Sequence, residues 1–342
     1  MLVILADDLT GTLDAAAPFA GRGLVTEVVL SPAALDEALA ARPDVLSINL
    51  RSREIGGAAA KAATETLIAR LPSDVTLFKK VDSRLKGWIA EELEATPFTK
   101  ALVAPAIPEF GRIVREGAVR GFGVAEPLPI AAVLGTHAQR ALIPETESAA
   151  DLSEALEAGF AAGVDLLIGA RGLGEALALH MTDGRPARPV PVPPGRGLFV
   201  IGSRDPITLA QIEQLTQNHA LQHLPAPNGV LNAQSRATDE LVLVQAVAGE
   251  TTISSVKVSE HLATSVHPRL TEHAETVLLS GGATAEAVLE AMGIARFRLI
   301  GECLPGLGIA EAGPHRIIAK SGGFGGPDTL SRIAAALKEG IV

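Results

Sequence analysis

The sequence predicts an α/β protein of two domains, each a mostly parallel sheet with helices on both faces, with a cleft between them. Three observations carry this. Short apolar runs alternate with helix-like stretches along nearly the whole chain, the pattern of a parallel sheet covered on both sides. A break at 184–197, GRPARPVPVPPGRG, holds five prolines in fourteen residues, and proline continues neither a helix nor a central strand. The 342 residues amount to about two domains at roughly 150 each. The domains are read as 1–185 and 197–342, joined by a linker at 186–196.

The elements follow in order. MLVILA is a buried strand and TLDAAAPFAGRG a helix closed by glycine. DVLSIN is a second strand, ahead of the strong helix GAAAKAATETLIARL. VTLFKKV and the helix GWIAEELEA come next, then the strand KALVAPA, then VDLLIGA leading into GLGEALALHM. After the prolines the pattern restarts with GLFVIG and the helix PITLAQIEQL. LVLVQAV, ETVLLS, RFRLI and HRIIAK read as strands, ATAEAVLEAM and TLSRIAAALKE as helices. GECLPGLGIAEAG (301–313) reads as a long Gly/Pro loop carrying Glu302, either lining a site or purely structural.

Composition excludes several functions. No apolar run reaches the roughly 18 to 20 residues that span a bilayer, so no membrane partner is expected. The N-terminus lacks a basic start and runs into Asp7 and Asp8, so a cytoplasmic protein is expected. The single Cys303 builds neither a disulfide nor a cysteine metal cluster. The net charge of −10, 3% aromatics and absence of Tyr leave little for nucleic-acid phosphates or bases to bind. An anionic ligand would therefore need a local cluster of cations.

Such a cluster follows three successive strands of the first half. Asp7, Asp8, Thr10, Gly11 and Asp14 come just past the first strand, where ligands bind in open α/β sheets. Paired carboxylates there would hold a metal, orient a hydroxyl or act as a general base; alternatively Asp8 or Thr10 only caps the next helix. Asn49, Arg51, Ser52 and Arg53 end the second strand. Lys79, Lys80, Asp82, Ser83, Arg84 and Lys86 end the third, four cations against one carboxylate in eight residues. They are either a solvated loop or a grip on carboxylate or phosphate. Glu109 and Arg112 follow the fourth strand.

The second half repeats a strand–glycine–helix junction three times: at Ser203, at Ser280-Gly281-Gly282, and at Lys320-Ser321-Gly322-Gly323-Phe324-Gly325-Gly326. Glycines let the backbone approach a ligand, and free N–H groups at a helix start attract phosphate. One such turn is commonly just a turn; three in one domain favour a nucleotide's phosphates. Neither G-x-x-x-x-G-K-[ST] nor G-x-G-x-x-G occurs. The eight His residues show no metal spacing, and no metal ligand is named.

The segments ADDLTGTLDAAAPFA, KKVDSRLKG, PAIPEFGR, LLSGGATAEAVL and AKSGGFGGPDTL, in this order, resemble the four-carbon acid sugar kinase family over nearly the whole chain. The resemblance implies an N-terminal acid-sugar domain, a C-terminal nucleotide domain, and ATP with Mg²⁺ as cofactors. The expected partners are a small sugar acid such as threonate, erythronate or 3-oxo-tetronate, together with ATP. Asp8 corresponds to the second Asp of the family's opening motif. Asn49 to Arg53 and Lys80 to Gly87 resemble two of its acid-site segments, and Ser203, Gly281, Gly282, Ala283, Thr284, Gly322, Gly323 and Gly325 its nucleotide loops. The expected acid site is then Asp7, Asp8, Arg51, Ser52, Lys80, Asp82, Ser83 and Arg84, with Asp8 or Asp82 accepting the hydroxyl proton and Lys80, Arg51 and Arg84 holding the carboxylate.

The sequence also departs from the family. Leu50 and Arg84 stand where Thr is usual, Lys86 for Arg, Trp88 for Asn and Gly323 for Asn. A His after the PAIPEFGR segment and a Trp near residue 307 are missing, and the chain is shorter than family members of roughly 400 residues. Most departures fall at the acid site, so the resemblance implies the class of acid rather than one acid. The alternatives are an inactive sugar-acid or nucleotide sensor of this fold, or another sugar-acid enzyme such as an aldolase or dehydrogenase. The dehydrogenase would need a dinucleotide fingerprint, which is absent, and the aldolase a Schiff-base lysine such as Lys80. A homodimer is the commonest state of a soluble oligomer.

Overall fold

The computed structural model describes residues 1–339. They form two compact units, Met1–Ala187 and Arg188 onward. Among the described residues no helix is long and apolar enough to cross a membrane.

The first unit runs β1 (Leu2–Ala6), α1 (Leu9–Ala20), β2 (Thr26–Val29), α2 (Leu35–Ala40), β3 (Val45–Asn49), α3 (Gly57–Ile68), β4 (Thr76–Lys80) and α4 (Ile89–Glu94). It continues with β5 (Ala101–Ala104), β6 (Arg112–Arg115), β7 (Ala118–Gly121), β8 (Leu128–Pro129), α5 (Ile130–Leu134), β9 (Ala141–Leu142), α6 (Ala149–Ala161), β10 (Leu166–Gly169) and α7 (Arg171–Met181). The main sheet has the order β2-β3-β1-β4-β10-β5-β9, and every pairing in it is parallel. Its central strands are apolar on both sides, as burial on two faces requires. One face is covered by α1 and α6, both packed on α7, and the other by α3 and α4. β6, β7 and β8 form a small separate antiparallel sheet.

Register positions the site. Ala6 pairs with Asn49 on one side and Lys80 on the other, and Lys80 with Gly169. Gly169 in turn pairs with Ala104. Five strands therefore end at one level, and the loops after them leave the sheet together.

The second unit runs β11 (Gly197–Ile201), α8 (Pro206–Asn218), β12 (Gln222–Pro227), β13 (Leu241–Val247), α9 (Ser255–Val266), β14 (Thr276–Ser280), α10 (Gly282–Ala291), β15 (Arg296–Leu304), β16 (Leu307–Ala312), β17 (His315–Lys320) and α11 (Thr329–Glu339). The order is β12-β13-β11-β14-β17-β16-β15, parallel through β17 and antiparallel over the last two strands. Ile201 pairs with Ser280, and Ser280 with Lys320, so these three strands also end together. α9 packs on α10 and α8 on α11.

Two sequence expectations are corrected. Residues 301–313 are no long loop: β15 runs to Leu304 and turns directly into β16, with the Glu302 carboxylate accepting the Gly306 N–H at 3.1 Å. The hairpin joins the sheet, and its Cys303, Leu304, Leu307 and Ile309 bury in the core with residues of α8 and α11, which a glycine-based reading misses. The proline segment is not a free linker along its length either. Val192 is fully buried in the second unit's core, and the Val190 N–H donates to the Glu302 carbonyl at 2.8 Å.

Candidate functional site

In the first unit the aligned strand ends gather three aspartates around one arginine. Asp7 and Asp8 follow β1, Asp82 follows β4, and Arg53 comes from the loop after β3. Arg53 grips Asp7 bidentately, Nε to Oδ2 at 2.8 Å and Nη2 to Oδ1 at 2.7 Å. Its Nη1 donates to Asp8 Oδ2 at 2.6 Å and lies 4.0 Å from Asp82 Oδ2. Burial pushes the Asp7 carboxyl up, but the Arg53 hydrogen bond and the charges of Lys79, Arg53 and Lys80 outweigh it, so Asp7 sits below its ordinary value. The same carboxylates hold the Arg53 guanidinium firmly protonated against its own desolvation.

Asp8 also caps α1: its carboxylate accepts the Gly11 N–H at 2.7 Å and the Thr10 hydroxyl at 3.0 Å. Both of its oxygens are thus engaged. Asp82 accepts the Arg84 N–H through Oδ1 at 2.8 Å and keeps Oδ2 more open. Gly87 lies at φ +97, and a Cβ there would meet Asp7 Oδ2 at 2.6 Å, so this loop closes over Asp7 only with glycine.

Strand alternation sends Lys79 and Lys80 to opposite faces. Lys80 is buried, with its Nζ on the Val81 carbonyl at 3.0 Å and beside Gly11 of α1. Lys79 goes to the α4 side, where its Nζ lies 2.8 Å from Glu92 Oε2, both side chains being 1% exposed. The other Glu92 oxygen accepts the hydroxyl of Ser52, the residue before Arg53. Ser83 accepts from Arg112 Nη1, which ties the β4 loop to the small sheet. Arg51 and Arg84 are exposed, and Arg51 takes φ +53 with its N–H on Asn49 Oδ1.

Of the eight expected acid-site residues, Lys80 therefore ends β4 and the other seven sit on the adjoining loops. The sequence reading did not give Arg53 its central place, nor Glu92 and Arg112 theirs. Arg53 lies two residues from Arg51, and nothing in an irregular loop says which of the two turns inward.

In the second unit the three glycine junctions meet. The N–H groups of Gly202 and Ser203 reach the Ser280 carbonyl, and that of Gly281 reaches Lys320. A Cβ on Gly202 would lie 1.9 Å from Thr284 Oγ1, and one on Gly322 would lie 2.3 Å from Ser203 Oγ. Gly281 takes φ +105 to start α10. The Thr208 hydroxyl donates to the Gly322 carbonyl at 2.7 Å, and Gln211 Nε2 donates to Phe324 and Gly326. Ala283, Gly323 and Gly325 are exposed at the rim. Asp205 caps α8 beside Gly322 and Gly323. Among the described residues no three His, Cys, Asp or Glu side chains converge as a metal cage. Asp205, Thr208 and Gln211 complete this cluster beyond the residues read from the sequence, beside Lys320 of the third junction. Their signal is their place on or beside the glycine junctions.

One unit thus presents a carboxylate–guanidinium cluster suited to a polar, hydroxylated anion, the other a glycine cradle suited to phosphate. Residues 2–129 match the family model described as a sugar-binding N-terminal domain, and residues 218–330 that of a nucleotide-binding C-terminal domain. The chain belongs to the four-carbon acid sugar kinase family. It is 27% identical to a D-threonate kinase of Cupriavidus necator, covering 98% of each chain. It is 27% identical to the Bordetella bronchiseptica D-threonate kinase (98% of this chain, 97% of that one), and 26% to that of Salmonella typhimurium (96% of each). The first alignment spans 412 positions against 342 residues here, so that relative carries insertions. The fold is shared with a Haemophilus influenzae protein (TM-score 0.70, 17% identity, 98% and 100% coverage). It is shared also with a Salmonella typhimurium protein described as a putative tRNA synthase (TM-score 0.74, 18%, 95% and 97%).

Proposed function

We propose that this sugar-acid kinase transfers the γ-phosphoryl group of ATP to a hydroxyl of a four-carbon acid, D-threonate being the first candidate. The observation that carries it is the pairing of Arg53 with Asp7, Asp8 and Asp82 at one level of the sheet, on a chain whose other unit carries three joined glycine loops. The D-threonate kinases among its relatives support the choice of acid.

Phosphoryl transfer asks the protein mainly for positioning and charge neutralisation. Lys80 and the exposed Arg51 and Arg84 are the cations offered to the substrate carboxylate, because Arg53 is already paired. Asp7, bound bidentately and held ionised, orients Arg53 and hydroxyl groups. Asp82 Oδ2 is the freer acceptor for the hydroxyl proton, since Asp8 spends its oxygens on Thr10, Gly11 and Arg53. Ser52 and Ser83 brace the loops through Glu92 and Arg112. The N–H groups of Gly282 to Thr284 at the start of α10 and of Gly322, Gly323 and Gly325 receive the phosphates, while those of Ser203, Gly281 and Phe324 hold the three junctions together. A single carboxylate, Asp205, suits Mg²⁺, which commonly takes one or two carboxylates plus phosphate oxygens. Bound there, Mg²⁺ would neutralise charge on the phosphates.

The test is ADP release from Mg-ATP with D- and L-threonate, D- and L-erythronate and 3-oxo-tetronates. A kcat/KM of about 10⁴ M⁻¹s⁻¹ or more is expected for one of them, falling by about 10²-fold or more in Asp82→Asn. Absence of turnover with every acid, in protein that binds ATP, refutes the kinase assignment. An unchanged Asp82→Asn removes Asp82 from proton transfer.

A further inference from the structure

Lys320 ends β17 at the foot of the third glycine loop and is 1% exposed. Its Nζ donates to the Thr208 hydroxyl at 3.3 Å and to the carbonyls of Ser321 at 2.9 Å and Gly322 at 3.1 Å. All three partners are neutral, and among the described residues no carboxylate lies within ion-pair distance of it. Contrast Lys79, equally buried, which has Glu92. A buried cation without a counter-ion is costly. The N–H groups of Gly322, Gly323 and Gly325, by contrast, make no hydrogen bond among the described residues.

Given the nucleotide-binding role proposed above, we propose that Lys320 is the fixed positive charge of the phosphate cradle. It draws the Ser321 and Gly322 carbonyls inward, so that the loop's N–H groups stay free for phosphate. The nucleotide then supplies the negative charge that the fold withholds. Lys320 is a positioning residue: its three donors are spent on the protein, and it acts on phosphate through the loop and through its field.

Its surroundings explain its protonation. Burial pulls the ammonium down to about 8, partly countered by Asp205 at the start of α8. The other groups beside it are neutral: Thr208 on α8, Ser280 on β14 and Leu307 on β16. A triphosphate nearby raises that value, so binding above pH 8 takes up a proton.

The experiment is calorimetric titration of Mg-ATP into the wild-type chain at pH 8.5, in two buffers of different ionisation enthalpy, repeated with Lys320→Met and with adenosine. Wild type is expected to take up protons. Lys320→Met is expected to lose that uptake and to bind ATP at least about tenfold more weakly, with adenosine affinity unchanged. Wild-type binding without proton uptake overturns the proposal even if the variant fails to fold. So does a folded variant with wild-type ATP affinity, or one weakened equally toward adenosine. Failure of the wild type to bind ATP overturns the nucleotide reading itself and this proposal with it.

Discussion

Truncating Glu92 isolates a buried charge whose cost the geometry lets one work out. Lys79 and Glu92 are both 1% exposed and 2.8 Å apart. In Glu92→Ala the ammonium stays under the sheet without a counter-ion, a loss of about 3 to 5 kcal/mol. The first unit has 187 residues, and domains of that size lose about 2–4 °C of Tm per kcal/mol. The unit should therefore melt about 6–20 °C lower. The Ser52 hydroxyl loses its acceptor in the same change, which loosens the loop that aims Arg53 at Asp7 and Asp8, so turnover should fall as well. Lys79→Met/Glu92→Gln separates the two effects. It removes both charges, keeps an amide oxygen for Ser52, and should regain most of the stability and the activity. Thermal and urea unfolding, followed beside steady-state kinetics, read this directly. Glu92→Ala within about 1 kcal/mol of wild type, or a double variant no more stable than the single one, refutes the reasoning.

Other outcomes are expected in the second unit. Gly202→Ala places a methyl 1.9 Å from Thr284 Oγ1, forcing the first glycine junction off the second. It should destabilise by about 1–3 kcal/mol and weaken ATP in a calorimetric titration, and unchanged affinity would separate this junction from the phosphates. Burial pushes the Cys303 thiol up to about 12, and the thiolate is the reactive form. At pH 8 it should stay unlabelled by a disulfide reagent until the chain is unfolded, and labelling of native protein within minutes would contradict its burial.

Much of this was legible beforehand because its causes are local. Strand-length apolar runs, glycine after a strand and a helix following it are written in consecutive residues. So the central strands, the helices α1, α3, α8, α10 and α11, and the three glycine junctions follow from the sequence alone. α6 lay outside the sequence reading, although the capping box of Ser148 and Asp151 marks its start; the apolar pattern that follows is weaker. The charge of −10 turned attention to the one stretch where cations gather, and the order of the motifs pointed to the family.

The tertiary structure decided what depends on partners distant in sequence. β12, QHLPAP, starts polar and ends on two prolines, and is a strand only because β13 lies beside it. The 301–313 glycines bend a hairpin whose strands are fixed by pairing with β17 and by burial. Lys79 and Lys80 are neighbours of one type, yet their faces give one a carboxylate from α4 and the other a place under α1. Arg53 rather than Arg51 turns inward because Asp7 and Asp8 end the neighbouring strand at the same level. Loop side chains follow no period, and their direction is set by whichever charge the register of the sheet brings within reach.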